Sequence, residues 1–430
     1  MFARFALLLM FLVPMFVAAE DEEKTRQTVA MSQPVYEGLR AAQELIEAKN
    51  YGQGLTELKK LRDMSDLSPY ETAQIWNLTA YAYYLKEDYK RAINAYSTVL
   101  KQEDLPSALR QSTLKTLAQL YFTVERYKAA LGTVDQLIAE VGSPSADIYM
   151  LKGQAHFQLE QYRDAVQPIK QGIDLYREQG KTPRENWLLL LRVCYYELSQ
   201  FNNMIGVLNE LIKLYPKDRY VLTLAGVYSE LGNTKRQLAL TEALYEDNRL
   251  TDGINILNLA NLYLVHGLPF KAAKLIDREV AAGRMEKTEK NLRLLSQSWY
   301  QAREDEKAIA PLAQAAAMSG DGELYVRLAQ SYINLENWEK AAEAVTQGLK
   351  KGGVRRQDTA NIMLGMALFN QRKLEAAKKA FSVAVKDKRS AKAARQWLAY
   401  VDSELTREST FDQKLPEQRE LEQDAILKNL

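Results

Sequence analysis

The feature that most restricts this chain is a pair of small residues set among large ones and repeated along most of its length. The stretch from Trp76 to Leu100 shows it clearly. Trp76 is large, Ala80 small, Tyr83 and Tyr89 large, Ala92 small and Tyr96 large, with a polar break at Lys86-Glu87-Asp88. This order reads as two short amphipathic helices joined by a turn. The small residues allow the helices to approach closely, and the large ones fill the space between them. A single pair cannot bury its apolar faces, so more copies are expected. The second small position recurs at 54, 92, 130, 165, 204, 237, 272, 308, 341 and 377, with gaps of 38, 38, 35, 39, 33, 35, 36, 33 and 36. An irregular helical bundle would not hold such a register over ten units.

The spacing and residue sizes resemble the tetratricopeptide repeat, a helix-turn-helix unit of about 34 residues. That resemblance implies an all-α α-solenoid, a right-handed superhelix of about ten repeats, spanning residues 34–388. Pro34 marks where helix can begin. The first unit is degenerate (Ala42, Leu45, Tyr51, Gly54, Leu58), and the later ones are clearer, as in Leu328-Ala329, Tyr332, Trp338, Ala341 and Val345. Arg192 and Met204 in the fifth unit, and Gln237 in the sixth, replace the expected small residues. Residues 184–240 are therefore the place for a looser packing or a break.

At the N-terminus, residues 1–19 have the three parts of a secretory signal: Arg4, an apolar run from Phe5 to Phe16, and the small residues Val17-Ala18-Ala19. Cleavage is expected between Ala19 and Glu20, so the chain would be exported, and a resemblance to exported tetratricopeptide proteins implies the periplasm of a Gram-negative cell. The apolar run is about a dozen residues, short of the roughly 20 that span a bilayer, and no later stretch is long enough. A polar lead, 20–33, precedes the repeats. After them, an amphipathic helix within 389–405, with Trp397, Leu398 and Val401, is expected to cap the last pair. Residues 406–430 read as a polar tail, with a marginal helix available from Leu421.

Formal net charge is +2, and over the whole chain Lys and Arg are dispersed among Asp and Glu. No global field marks a nucleic-acid binder. Cys194 is the only cysteine, so no internal disulfide is available, and its apolar surroundings predict a buried, inert thiol. His156 stands where other repeats carry Tyr83, Tyr121 and Tyr195, and reads as a core residue. His266, beside Gly267 at a turn, reads as solvated. Two histidines and one cysteine in different repeats make no metal set, and no catalytic or phosphate-binding motif is present. The chain is expected to be no enzyme and to need no cofactor.

What remains is surface. In the solenoid that the resemblance implies, the first helix of each repeat lines the concave side. The position after the first small residue carries Gln119, Gln154, Asn261, Gln297 and Gln330, with Tyr81, Val193, Gly226 and Met366 in the other repeats. The position after the following large residue carries Tyr84, Phe122, Phe157, Tyr196 and Tyr300, with Ser229, Leu264, Ile333 and Phe369 in the others. Both rows are uncharged. Amides beside aromatics suit an extended peptide, the amide pairing with backbone and the ring packing a side chain. The competing role for the aromatics is to wedge between neighbouring helices. Lys115 and Arg293 lie too far apart in the array to form the terminal-carboxylate grip that some tetratricopeptide proteins use.

In general character the chain resembles exported tetratricopeptide proteins encoded beside TonB-ExbB-ExbD energy-transduction genes. That resemblance implies an accessory role in TonB-dependent uptake of iron-siderophore or haem, through contact with the TonB complex or an outer-membrane receptor. The alternative is an adaptor for envelope assembly, serving outer-membrane protein, polysaccharide or peptidoglycan machinery.

Overall fold

The computed structural model describes residues 31–428, so the expected signal peptide (1–19) and cleavage site, and most of the polar lead (20–33), lie outside the described residues. Those described form twenty-one α-helices and no strands. By contact density the chain divides into two compact units, meeting between Gln200 and Phe201 in the turn between the two helices of the fifth repeat.

The first unit holds α1 (Gln33–Glu47), α2 (Tyr51–Arg62), α3 (Pro69–Leu85), α4 (Tyr89–Val99), α5 (Ser107–Thr123), α6 (Tyr127–Val141), α7 (Ala146–Gln158), α8 (Tyr162–Glu178) and α9 (Glu185–Glu197). The second begins with α10 (Phe201–Leu214), α11 (Asp218–Glu230), α12 (Thr234–Glu246), α13 (Gly253–Val265), α14 (Pro269–Ala281) and α15 (Glu289–Gln301). It continues with α16 (Asp305–Met318), α17 (Glu323–Asn334), α18 (Trp338–Lys351), α19 (Gln357–Asn370), α20 (Leu374–Ala384) and α21 (Ala391–Lys428). Within each unit every helix packs on the next in sequence, the arrangement of a tetratricopeptide α-solenoid.

The register read from small residues is reproduced by an independent feature of the backbone. Lys49, Glu87, Glu125, Glu160, Ser199, Gly232, Gly267, Arg303, Glu336 and Arg372 all have positive φ, between 54° and 70°. Each stands five residues before the second small position of its repeat. One left-handed residue thus stands in the turn of each of the ten repeats, and a side-chain oxygen then often restarts the helix. Asp88 accepts from the Arg91 amide, Asn233 from Arg236 and Asn337 from Lys340. The small positions themselves are closed. Ala80, Ala92, Ala118, Ala130, Ala260, Ala272, Ala329 and Ala341 have no exposed surface. A Cβ added at Gly153 would stand 2.4 Å from Ile169, and one at Gly365 2.6 Å from the Phe381 ring.

The C-terminal end differs from expectation. Trp397 stacks on Phe381 with centroids 5.4 Å apart and meets Phe369 edge-on at 5.6 Å, which covers the last pair. The capping helix does not stop at Leu405, however, and α21 runs on to Lys428 through the residues expected to be a tail. Arg372 reaches across from the turn before α20 to Glu404 (2.6 Å) and Glu408, and Arg407 pairs with Glu404 at 2.9 Å. These ion pairs carry the helix past Leu405, into a stretch rich in the good helix formers Glu, Gln, Arg and Leu.

Candidate functional site

The ten residues singled out on the first helices fall into two groups. Tyr84, Gln119, Phe122, Gln154, Phe157 and Tyr196 belong to the first unit; Asn261, Gln297, Tyr300 and Gln330 belong to the second. Three first-unit aromatics are partly absorbed by their own repeats. Tyr84 meets Tyr89 at 6.1 Å, Phe122 meets Tyr127 at 5.9 Å, and Phe157 meets Tyr162 at 5.6 Å, the latter two edge-on. In each case the ring closing the first helix packs on the tyrosine opening the second, and all are half-buried. Burial, then the neighbouring Tyr89, pushes the Tyr84 phenol above its ordinary value. Gln119 and Gln154 beside them are half-buried too.

The second-unit residues stand free of the core. Asn261, Gln297 and Gln330 are exposed at the same register position of three successive repeats, on α13, α15 and α17. Gln330 donates to Asn334 one turn on, at 3.0 Å. Tyr300 is 43% exposed, and in the first unit Tyr196 is 55% exposed. Uncharged donors and acceptors at one register position, with a phenol beside them, can hold extended backbone without selecting on charge.

Carboxylates inside the fold have other work. Glu279, with no exposed surface, accepts from Tyr245 Oη at 2.7 Å and Arg284 Nη2 at 2.8 Å, and Arg278 lies 3.2 Å away. Glu71 accepts from the backbone and hydroxyl of both Ser32 and Ser68, which lowers it to about 2. Asp358 accepts from Arg356 Nε and Nη2 and from Ser390 Oγ (2.6 Å), and the guanidinium above all holds it well below the usual carboxylate range. Glu242, between Lys271 (2.9 Å) and Tyr263 (2.8 Å), is also lowered, chiefly by the lysine. Carboxylates held ionised in this way fasten helices together; none is poised to exchange a proton near neutrality. Among the described residues no group of His, Cys, Asp and Glu has metal-binding geometry, and no helix is long and apolar enough to cross a membrane.

Both histidines depart from expectation. His156 is half-buried rather than core, its Nδ1 2.8 Å from the Gln161 side-chain oxygen across the turn. His266 is half-buried, with its Nε2 buried and without a hydrogen-bond partner. The equivalent position in other repeats holds Val124, Leu159 and Leu198, which are half-buried, and Leu231 and Leu335, which are exposed; His266 follows the first three. Cys194 is buried, and desolvation pushes its thiol up to about 12.

The charge balance of the whole chain conceals a local excess. Residues 350–395 hold thirteen Lys and Arg against three Asp and Glu, a net of +10, while the rest of the chain holds 44 against 52. This concentration was legible in the sequence; only the structure gathers two of its turns onto one edge.

A tetratricopeptide repeat family model matches residues 39–108, 115–179 and 326–394. The chain is 23% identical over 231 residues to the mitochondrial import receptor subunit TOM70 of Homo sapiens, covering 53% of this chain and 36% of that protein. It therefore spans about a third of that relative's length. Similar solved structures include a tetratricopeptide repeat protein from Parabacteroides merdae (15% identical, 70% of this chain and 100% of that one, TM-score 0.36). Another is the C-terminal part of a TPR repeat-containing protein from Cytophaga hutchinsonii (16%, 65% and 95%, TM-score 0.37). A third, YrrB, is described as a TPR protein with an unusual peptide-binding site (15%, 43% and 89%, TM-score 0.35). Tetratricopeptide proteins serve as protein-interaction scaffolds, and the fold is generally non-catalytic.

Proposed function

We propose that this chain is a periplasmic protein-interaction scaffold that holds an extended segment of a partner on the first helices of its repeats, as an accessory of TonB-dependent uptake of iron-siderophore or haem. The observation that carries the binding mode is the exposed, uncharged row of Asn261, Gln297 and Gln330, with Tyr300 beside it. Amides at one register position on successive repeats fit the backbone groups of an extended peptide, and the phenol offers a rigid surface to a side chain. The half-buried Tyr84, Phe122 and Phe157 contribute an edge rather than a face, so contact in the first unit is the weaker of the two. Similarity to an import receptor subunit supports a protein as the ligand. The secretory pattern of residues 1–19 supports the periplasm, and general resemblance to proteins encoded beside TonB-ExbB-ExbD genes supports the uptake role.

The test is in-cell crosslinking from a photoreactive residue at Gln297, with one at Phe157 for comparison, and mass spectrometry of what is trapped. Capture of TonB, ExbB, ExbD or an outer-membrane receptor at Gln297 is the expected result. Capture of an envelope-assembly factor would overturn the uptake role and keep the scaffold. A full-length product in the cytoplasmic fraction would overturn export.

A further inference from the structure

We infer that the edge formed by the α18–α19 and α20–α21 turns is a second docking surface, and that its occupant is an acidic segment of a protein partner. This rests on the reading of the chain as a protein-binding scaffold, and it adds a site away from the amide row and a chemical class for what fills it.

The two turns are held together by Asp358. Its carboxylate, almost wholly buried, takes Arg356 from the first turn and Ser390 from the second, with Arg389 Nη2 3.6 Å away. One buried negative charge thus draws two basic turns into a single surface. It leaves more positive charge in solvent: Lys386 and Lys388 in the second turn, Lys350 at the end of α18, and Lys392 and Arg395 at the start of α21 are all exposed. Cations closer than the Debye length of about 8 Å at physiological ionic strength reinforce one another. Nothing in the fold needs them, because the apolar contacts of α18–α21 close without them.

The same edge runs into a cavity of about 310 Å³ lined by Arg293, Arg327 and Arg355 together with Glu289, Asp321 and Glu323. Glu289 and Glu323 already pair with Arg293 and Arg355. This mixture of signs decides between occupants. A phosphodiester chain or an anionic bilayer presents unbroken negative charge, which a cavity of three arginines and three carboxylates does not favour. A peptide, with carboxylates separated by neutral residues, can set its acids against the lysines and its neutral groups in the cavity. Between residues 350 and 395 the large apolar side chain left exposed is Val383, so the edge carries no aromatic platform for stacking bases and no wedge for lipid.

The experiment uses the full mature chain and a fluorescein-labelled peptide of alternating Glu and Ser, read by fluorescence anisotropy. A Lys-Ser peptide, an oligo-dT strand and vesicles of phosphatidylglycerol in phosphatidylcholine serve as competing probes. The expected result is binding of the Glu-Ser peptide alone, weakening as salt is raised, and weakened roughly tenfold or more in K386E/K388E/K392E. K386Q/K388Q/K392Q, which removes charge without reversing it, should weaken binding to a smaller extent and guards against misfolding of the reversed variant. Binding of oligo-dT or vesicles as tightly as the peptide would overturn the choice of occupant. No peptide binding, or binding that both triple variants retain, would overturn the surface. A protein trapped from Gln297 alongside such a failure would leave the scaffold reading standing; nothing trapped from Gln297 or Phe157 would remove that reading itself.

Discussion

Adding one methyl group at Gly365 and one at Gly226 is expected to move stability in opposite directions. Both glycines lie inside first helices, one register step apart: Gly365 is the small residue of the tenth repeat, and Gly226 follows the small residue of the sixth. A Cβ at Gly365 would stand 2.6–2.7 Å from three atoms of the Phe381 ring, whereas ordinary carbon contacts lie at about 3.5–4.0 Å. The ring has nowhere to retreat, because it has no exposed surface and is stacked flat on Trp397. Overpacking of this kind costs about 1–3 kcal/mol, against about 1 kcal/mol gained from the better helix propensity of alanine. Gly365→Ala should therefore destabilise α19–α21 by up to about 2 kcal/mol. A Cβ at Gly226 meets nothing within 4 Å, so Gly226→Ala keeps only the propensity gain, about 0.5–1 kcal/mol. Phe381→Leu should relieve the clash, making Gly365→Ala and Phe381→Leu together cost less than the two separately, by about 1 kcal/mol. Repeat arrays need not unfold in one step, so the assay is hydrogen exchange resolved by helix, with urea unfolding as a global check. Equal signs for the two alanine variants, or simple additivity of the Gly365–Phe381 pair, would refute the packing register.

Three further outcomes are expected. At the left-handed turn position, Gly267→Val should cost about 1–2 kcal/mol while Glu87→Gly is neutral or stabilising, and thermal melting of the two variants checks this. Glu71 is held at about 2 in the folded chain against its ordinary 4.5, so its contribution is complete above about 4.5 and is lost as pH falls toward 2. Protection of α1 and α3 should fall over that interval, and Glu71→Gln should flatten the profile. Cys194, with its thiol pushed up to about 12, should resist maleimide labelling in the native state and react on unfolding; rapid native labelling would contradict its burial.

The ten-unit register could be read without coordinates because it rests on residue size. A helix pair tolerates only a small residue at closest approach, so Ala92, Ala130 or Ala341 announces the contact in one letter. The same logic survives local exceptions. Met204 and Gln237 break the size rule, yet the left-handed residues Ser199 and Gly232 keep the spacing, since the turn and the close approach are separate constraints on one motif. The candidate surface was less legible. Tyr84 and Tyr300 hold equivalent positions, but Tyr84 has a tyrosine five residues on to pack against and Tyr300 has Asp305 there, and only the packed repeat shows which ring remains outside.

The sequence by itself determined the fold class, the period of the repeats and the identity of the closed positions, because these follow from local size and turn chemistry. Tertiary structure decided that α21 does not stop at Leu405, since Arg372 reaches Glu404 and Glu408 from more than thirty residues away. It also decided which carboxylates are fasteners, since Glu279 and Asp358 find their partners through space. Above all it turned a basic stretch of chain into a basic edge, because the helix pair between the turns folds away and Asp358 draws the turns together.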